Sequence, residues 1–211
     1  MIIKLILLAV FAYLLGNLST GTLVAKYIGH VDIRKTGSGN AGTTNVLRTM
    51  GWVPSLLTLA GDLLKGLIPT LIGKILFGEA GMLVAALFSV LGHNYPVFYG
   101  FKGGKGIATS WGAILVINPI IALILLISLV IIVAVTKIMS VASLAGAVEF
   151  AVLMIITNWN NPNRTLFIVF SLVYSGMAIY AHRANIQRLI SGTENKLDFA
   201  KINKLSKKKS K

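Results

Sequence analysis

The sequence predicts an all-α polytopic membrane protein with seven transmembrane helices, its N-terminus outside and its C-terminus in the cytoplasm. Three observations carry this. Hydrophobic residues make up 55% of the 211 and charged residues only 12%, about half the roughly 25% of a soluble domain, and mean hydropathy is +0.81. The apolar residues fall in runs long enough to cross about 30 Å of hydrocarbon. The basic residues, which set a net charge of +14, sit in short loops and a tail between those runs. That pattern orients a membrane protein and is not the footprint of one that grips nucleic acid. With no cysteines there is no disulfide framework or thiolate metal site. The three histidines, His30, His93 and His182, lie far apart without metal-binding spacing, so neither metal nor cofactor is expected.

Residues 2–28 form the first apolar run. Lys4 near its start gives it the look of a signal peptide, but no small-x-small cleavage site follows, so it reads as a span. Residues 51–75 form the second span and carry Asp62 and Lys65, three apart on one helical face. Charges inside a span usually pair or face the bundle interior. Gly78 and Glu79 turn the chain, and residues 82–98 return across the membrane. The apolar run 107–136 is interrupted by Asn118-Pro119. Proline removes an N–H and drives the preceding residue out of the helical region, so a turn is expected there. Residues 138–157, with Glu149 mid-span, and residues 165–181 complete seven spans. That count puts sixteen lysines and arginines on one side and three (Lys4, Lys74 and Arg164) on the other, the split the positive-inside rule demands. Residues 1–200 then make one integral membrane domain, and residues 201–211 a basic, disordered cytoplasmic tail drawn to anionic lipid.

Polar chemistry gathers in three stretches that share the basic side. Residues 92–109 read GHNYPVFYGFKGGKGIAT. Glycines 103, 104 and 106 permit positive φ and close backbone approach. Successive amides in such a turn make an anion-binding concavity, to which Lys102 and Lys105 add charge. The spacing is not that of a nucleotide-binding P-loop, which needs glycine at Tyr99 and Ser or Thr at Gly106. In residues 36–49 glycines alternate with Ser38, Asn40, Thr43 and Asn45, and Arg48 is the one charge, a guanidinium able to fork onto phosphate. Residues 182–196, HRANIQRLISGTENK, suggest a short interfacial helix carrying His182 and Asn185. Ser140 and Ser143 start a span on the same side.

GSGNAGTTNVLR (37–48), DLLKG (62–66), the 92–109 motif and HRANIQRL (182–189), in that order among seven spans, resemble the acyl-phosphate-dependent glycerol-3-phosphate acyltransferase family over essentially the whole chain. The resemblance implies a bacterial plasma-membrane enzyme with a cytoplasmic active site. It would move a fatty acyl group from acyl phosphate to the 1-hydroxyl of glycerol 3-phosphate, the first acylation of phospholipid synthesis. By that resemblance Ser38, Arg48, Lys105 and His182 serve turnover. Gly103, Gly104 and Gly106 hold acyl phosphate, and His182 and Asn185 support glycerol 3-phosphate. Asn40, Thr43, Asn45, Lys102 and Ser140 join the substrate-binding set, and Glu194 is structural. The one departure is the family's Gly-Ser-x-Pro turn in the first helix, here Gly16-Asn17-Leu18-Ser19, which bears only on that helix's kink.

The residues offer chemistry of that kind. Two phosphate-bearing substrates need two adjacent anion sites, and glycine loops beside Arg48, Lys102 and Lys105 can supply them. An alcohol nucleophile normally needs a base. His93 and His182 are the candidates, neither with a carboxylate at triad spacing. A substrate phosphate dianion, with a second pKa near 6, can accept the proton instead. An organic-phosphate transporter is the alternative of another class, but no internal repeat is visible and the motifs cluster on one face, away from the midplane.

Overall fold

The computed structural model describes residues 1–208. The first apolar run divides into α1 (Ile2–Gly16) and α2 (Thr20–Gly29), with the break at Asn17–Ser19. One continuous helix was expected. The chain can bend there without a proline because side-chain donors reach the carbonyls around the break. The Asn17 amide donates to Tyr13 O at 2.6 Å, and Lys65 Nζ to Leu18 O at 2.7 Å.

After the loop 30–42, which holds a single 3-10 turn at Ile33–Lys35, comes α3 (Thr43–Met50), then α4 (Trp52–Asn94). Helix α4 is a hairpin that reverses at Phe77 and Gly78, whose φ is +61. Positions 73 and 81 would lie about 12 Å apart in a straight helix, yet their backbones touch so closely that neither glycine has room for a Cβ. The reversal sets Asp62 on the first arm opposite His93 on the second, 3.7 Å from Oδ1 to Nδ1. Asp62 also pairs with Lys65 at 2.8 Å, both buried. Breaking such a pair from one side leaves an uncompensated charge.

Helix α5 (Ile107–Ile117) and α6 (Pro119–Thr136) meet at Asn118, in extended backbone, whose side chain accepts from the Ile120 and Ile121 N–H groups. The expected break is therefore an N-cap followed by proline at the first helical position. Helices α7 (Met139–Thr157) and α8 (Arg164–Ala181) follow, then α9 (Arg183–Ile190) and α10 (Phe199–Lys208). Among the described residues five segments are long and apolar enough to cross a membrane, and α5 is a shorter apolar helix.

Small residues set the packing, as expected where helices associate through close backbone contact. Gly66 and Gly112 seat α4 against α5, and Gly16 and Gly92 seat α1 against α4. One apolar core joins the second arm of α4 to α5–α8, with Phe150, Phe170 and Tyr174 packed edge-on and tilted at ring separations of 4.8–6.4 Å. On α6, Ile120, Ile127, Val130 and Ile131 stay exposed, facing lipid in this setting.

The disordered tail expected from Lys201 is corrected up to Lys208, because that stretch is the body of α10. Ile202 is 2% exposed, Asn203 Oδ1 accepts from Trp52 Nε1 at 2.9 Å, and Ser206 Oγ accepts from Trp52 N at 3.1 Å. Lysine count hid an amphipathic pattern with one apolar anchor per turn. Residues 209–211 of that expectation lie outside the described residues.

Candidate active site

The three polar stretches and the start of α7 converge on one cleft of about 660 Å³. Its polar end is built from the loop before α3, the loop before α5, α9 and Glu194. Its other end runs into the helix bundle between Trp111, Ile114, Leu125, Leu129, Ala147, Phe150 and Tyr174. A charged mouth and an apolar slot thus share one space.

The first loop is organised by Asn45, only 2% exposed. Its amide nitrogen donates to the carbonyls of Ile33, Thr36 and Asn40, and its Oδ1 accepts from Ser38 N at 2.9 Å. Every polar atom of Asn45 is thereby spent inside the loop. That makes it a scaffold, where sequence placed it among the substrate contacts. Asn40 Oδ1 accepts from Gly42 N at the start of α3, and Ser38 is held at the cleft wall. Thr43 Oγ1 and Arg48 Nε are buried without partners, while Arg48 Nη2 donates to Asn195 O at 2.9 Å.

Of the three glycines 103, 104 and 106 in the second loop, only Gly106, φ +78, needs the left-handed region. Gly104 is required for a different reason: an added Cβ would run into the His93 imidazole. The amides of Gly103 and Gly104 donate to the Asn94 and His93 carbonyls, both at 3.2 Å. They are therefore unavailable to an anion, contrary to the concavity expected from successive loop amides. The open donors are those at the start of α5, whose first N–H groups have no intrahelical acceptor, together with Lys105. Lys102 is exposed at the rim. Burial lowers the Lys105 ammonium to about 8; Arg188 and Arg48 push the same way and Glu194 opposes.

His182 is 2% exposed. Burial, reinforced by the Lys105 cation, holds its pKa at about 4, with the Ala178 carbonyl and Glu194 pulling the other way. The ring is therefore neutral near pH 7. Its Nδ1 lies 2.8 Å from Ala178 O, and a carbonyl only accepts, so the proton sits on Nδ1 and Nε2 carries a lone pair. Asn185 Nδ2 donates to Glu194 Oε1 at 2.8 Å and Arg188 Nε to Oε2 at 2.9 Å. Glu194 thus ties α9 to the loop after it, and Asn185 Oδ1 is left buried and unpartnered. Ser140 Oγ is likewise unpartnered at the cleft wall.

Sequence reasoning missed several of these groups. Asn94, Tyr174 and Ser175 also line the cleft with buried, unpartnered polar atoms. Asn94 lay within a motif already singled out. Tyr174 and Ser175 are adjacent polar residues inside an apolar span, which was the available signal. The carboxylate beside His93 was invisible because it comes from the other arm of the α4 hairpin. Among the described residues no cluster of metal-ligating side chains occurs.

Fold and cleft define a class, an integral membrane protein whose cleft joins a cationic mouth to an apolar slot between its helices. A family model described as glycerol-3-phosphate acyltransferase matches residues 6–192. The chain is 45% identical over 192 residues to the glycerol-3-phosphate acyltransferase of Thermoanaerobacter sp. (strain X514), covering 91% of this chain and 95% of that one. It is 50% identical over 197 residues to the enzyme of Geobacter metallireducens (strain ATCC 53774 / DSM 7210 / GS-15), covering 93% and 98%. The crystal structure of PlsY (YgiH), an integral membrane glycerol 3-phosphate acyltransferase, superposes in its glycerol 3-phosphate form with a TM-score of 0.87. Identity is 36%, covering 94% of this chain and 98% of that one. Its lysophosphatidic acid form gives 0.84 at 35% identity, with the same coverage. The chain belongs to the glycerol-3-phosphate acyltransferase family, the membrane-bound acyltransferases of phospholipid synthesis.

Proposed function

We propose that this protein transfers a fatty acyl group from acyl phosphate to the 1-hydroxyl of glycerol 3-phosphate, releasing inorganic phosphate and lysophosphatidic acid. The observation that carries this is the single cleft with an anion-binding mouth and an apolar slot. It suits a donor with a phosphate at the end of an acyl chain, and the mouth has cations enough for a second, small phosphate.

The donor is a mixed anhydride. The glycerol hydroxyl oxygen attacks the acyl carbon, the carbon–oxygen bond to phosphate breaks, and phosphate leaves as a stable anion. The start of α5 and Lys105 hold the donor phosphate, while Arg48 and Ser38 face the developing oxyanion. Asn185 and the Nε2 lone pair of His182 receive the glycerol moiety, with Thr43, Ser140, Asn40 and Lys102 completing the mouth. A ring titrating at about 4 is a weak base, so His182 aligns the hydroxyl and a substrate phosphate dianion takes its proton. Glu194 keeps α9 in place and Asn45 shapes the first loop.

The α4 hairpin counts as two spans and α5 as a short one, giving seven. With the N-terminus outside, the basic loops and the cleft face the cytoplasm. Residues 1–200 then act as one membrane domain in the bacterial plasma membrane, onto which α10 docks.

The test is purified protein in detergent, supplied with glycerol 3-phosphate and, separately, acyl phosphate, acyl-CoA or acylated acyl carrier protein. Lysophosphatidic acid should form only with acyl phosphate, with one phosphate released per product. Product from acyl-CoA alone would refute the donor assignment. A transporter would give none without a sealed compartment. Arg48→Lys should lose about a hundredfold in turnover, since a point charge cannot reproduce a fork worth roughly 3 kcal/mol.

A further inference from the structure

We propose that residues 194–206 form a strap that positions Arg48 for turnover, making the C-terminal segment part of the catalytic apparatus. This rests on the assignment of Arg48 above.

Arg48 lies in α3, a helix of 8 residues, too short to be rigid alone. Among the described residues its guanidinium has one hydrogen-bond partner, the Asn195 carbonyl, 147 residues away in sequence at 2.9 Å. That bond orients the planar fork, because fixing one N–H fixes the directions of the other four. The carbonyl is pinned on both sides. Before it, Glu194 is locked to Asn185 and Arg188, its side chain 4% exposed. After it, Leu197 is buried and its N–H donates to Lys137 O at 2.7 Å. Helix α10 then packs at the junction of α3 and α4, where Ile202 is buried and Asn203 and Ser206 accept from Trp52. The strap so holds the C-terminal end of α3 at two points, Arg48 in its last turn and Trp52 just past it. Helix α10 lies wholly beyond residues 6–192, the stretch matched by the family model.

The experiment keeps the full chain and unseats the strap with Ile202→Asp, or weakens it with Trp52→Phe, which retains the ring and removes the indole N–H. Each is made alone and with Arg48→Ala. Steady-state constants are measured in detergent after thermal unfolding confirms a folded protein. Ile202→Asp should lower kcat about tenfold, the lower end of what one hydrogen bond to a charged group is worth. Trp52→Phe should lower it by a smaller factor in the same direction. Neither should change kcat further in the Arg48→Ala background, because the strap acts through that side chain. General destabilisation would give equal losses in both backgrounds, and that result overturns the strap's role. So does wild-type kcat in both single variants. If Ile202→Asp does not fold, Trp52→Phe carries the same comparison. Wild-type turnover in Arg48→Ala alone overturns the assignment of Arg48 itself and the strap with it, a result distinct from equal losses.

Discussion

Replacing Gly104 by alanine tests the central loop most directly. The added Cβ would overlap His93 Nε2, where ordinary contact is 3.4–4 Å, so loop or ring must retreat by about 1 Å. The ring has nowhere to go. His93 is buried, with Thr109 Oγ1 at 3.2 Å and Asp62 Oδ1 at 3.7 Å from its Nδ1. The loop therefore moves, taking Lys105 and the start of α5 with it. A 1 Å misplacement in a positioned site costs on the order of a hundredfold, or about 2.7 kcal/mol in the barrier. The assay is steady-state kinetics with acyl phosphate varied at saturating glycerol 3-phosphate, and the converse. kcat/KM for acyl phosphate should fall about a hundredfold, and its KM should rise more than that of glycerol 3-phosphate. Adding His93→Ala opens space for the Cβ, so the double variant should lose less than the sum of the two single losses. Near-native constants for Gly104→Ala, or equal rises in both Michaelis constants, would refute the assignment of this loop to the donor phosphate.

Three further outcomes are expected. His182→Ala should raise the KM for glycerol 3-phosphate more than tenfold and recover part of its turnover at high substrate; a variant dead at every concentration would make His182 the base. The Lys105 ammonium is intact below about 8 and is lost as pH rises through that value, so kcat/KM should fall above pH 8. kcat should hold to higher pH because bound phosphate stabilises the cation; a flat kcat/KM profile to pH 9.5 would count against Lys105. Reporter tags should place the loop at Asn118 outside and the end of the chain in the cytoplasm, and an outside C-terminus would sink the seven-span topology.

Hydropathy and charge alone determined the class of this protein, because a bilayer admits only closed hydrogen-bonding segments and their period and length are written in the chain. The break at Asn118-Pro119 was legible for the same local reason: proline acts on its own neighbours. The three polar motifs were legible as chemistry, since glycine beside lysine or arginine between apolar runs has little packing purpose. What each motif does was decided by tertiary contact. Gly103 and Gly104 looked like amide donors, yet their N–H groups are consumed by Asn94 and His93 across the turn. Asn45 looked like a ligand contact and is the internal brace of its loop. At the break at Asn17, Lys65 from another helix donates to the Leu18 carbonyl, and no local pattern announces a donor so distant in sequence. The lysine-rich tail shows the limit most plainly. Composition sees charge, but α10 packs against α3 and α4 with Ile202 buried. Only the folded chain supplies that packing, and so only the fold shows what holds Arg48.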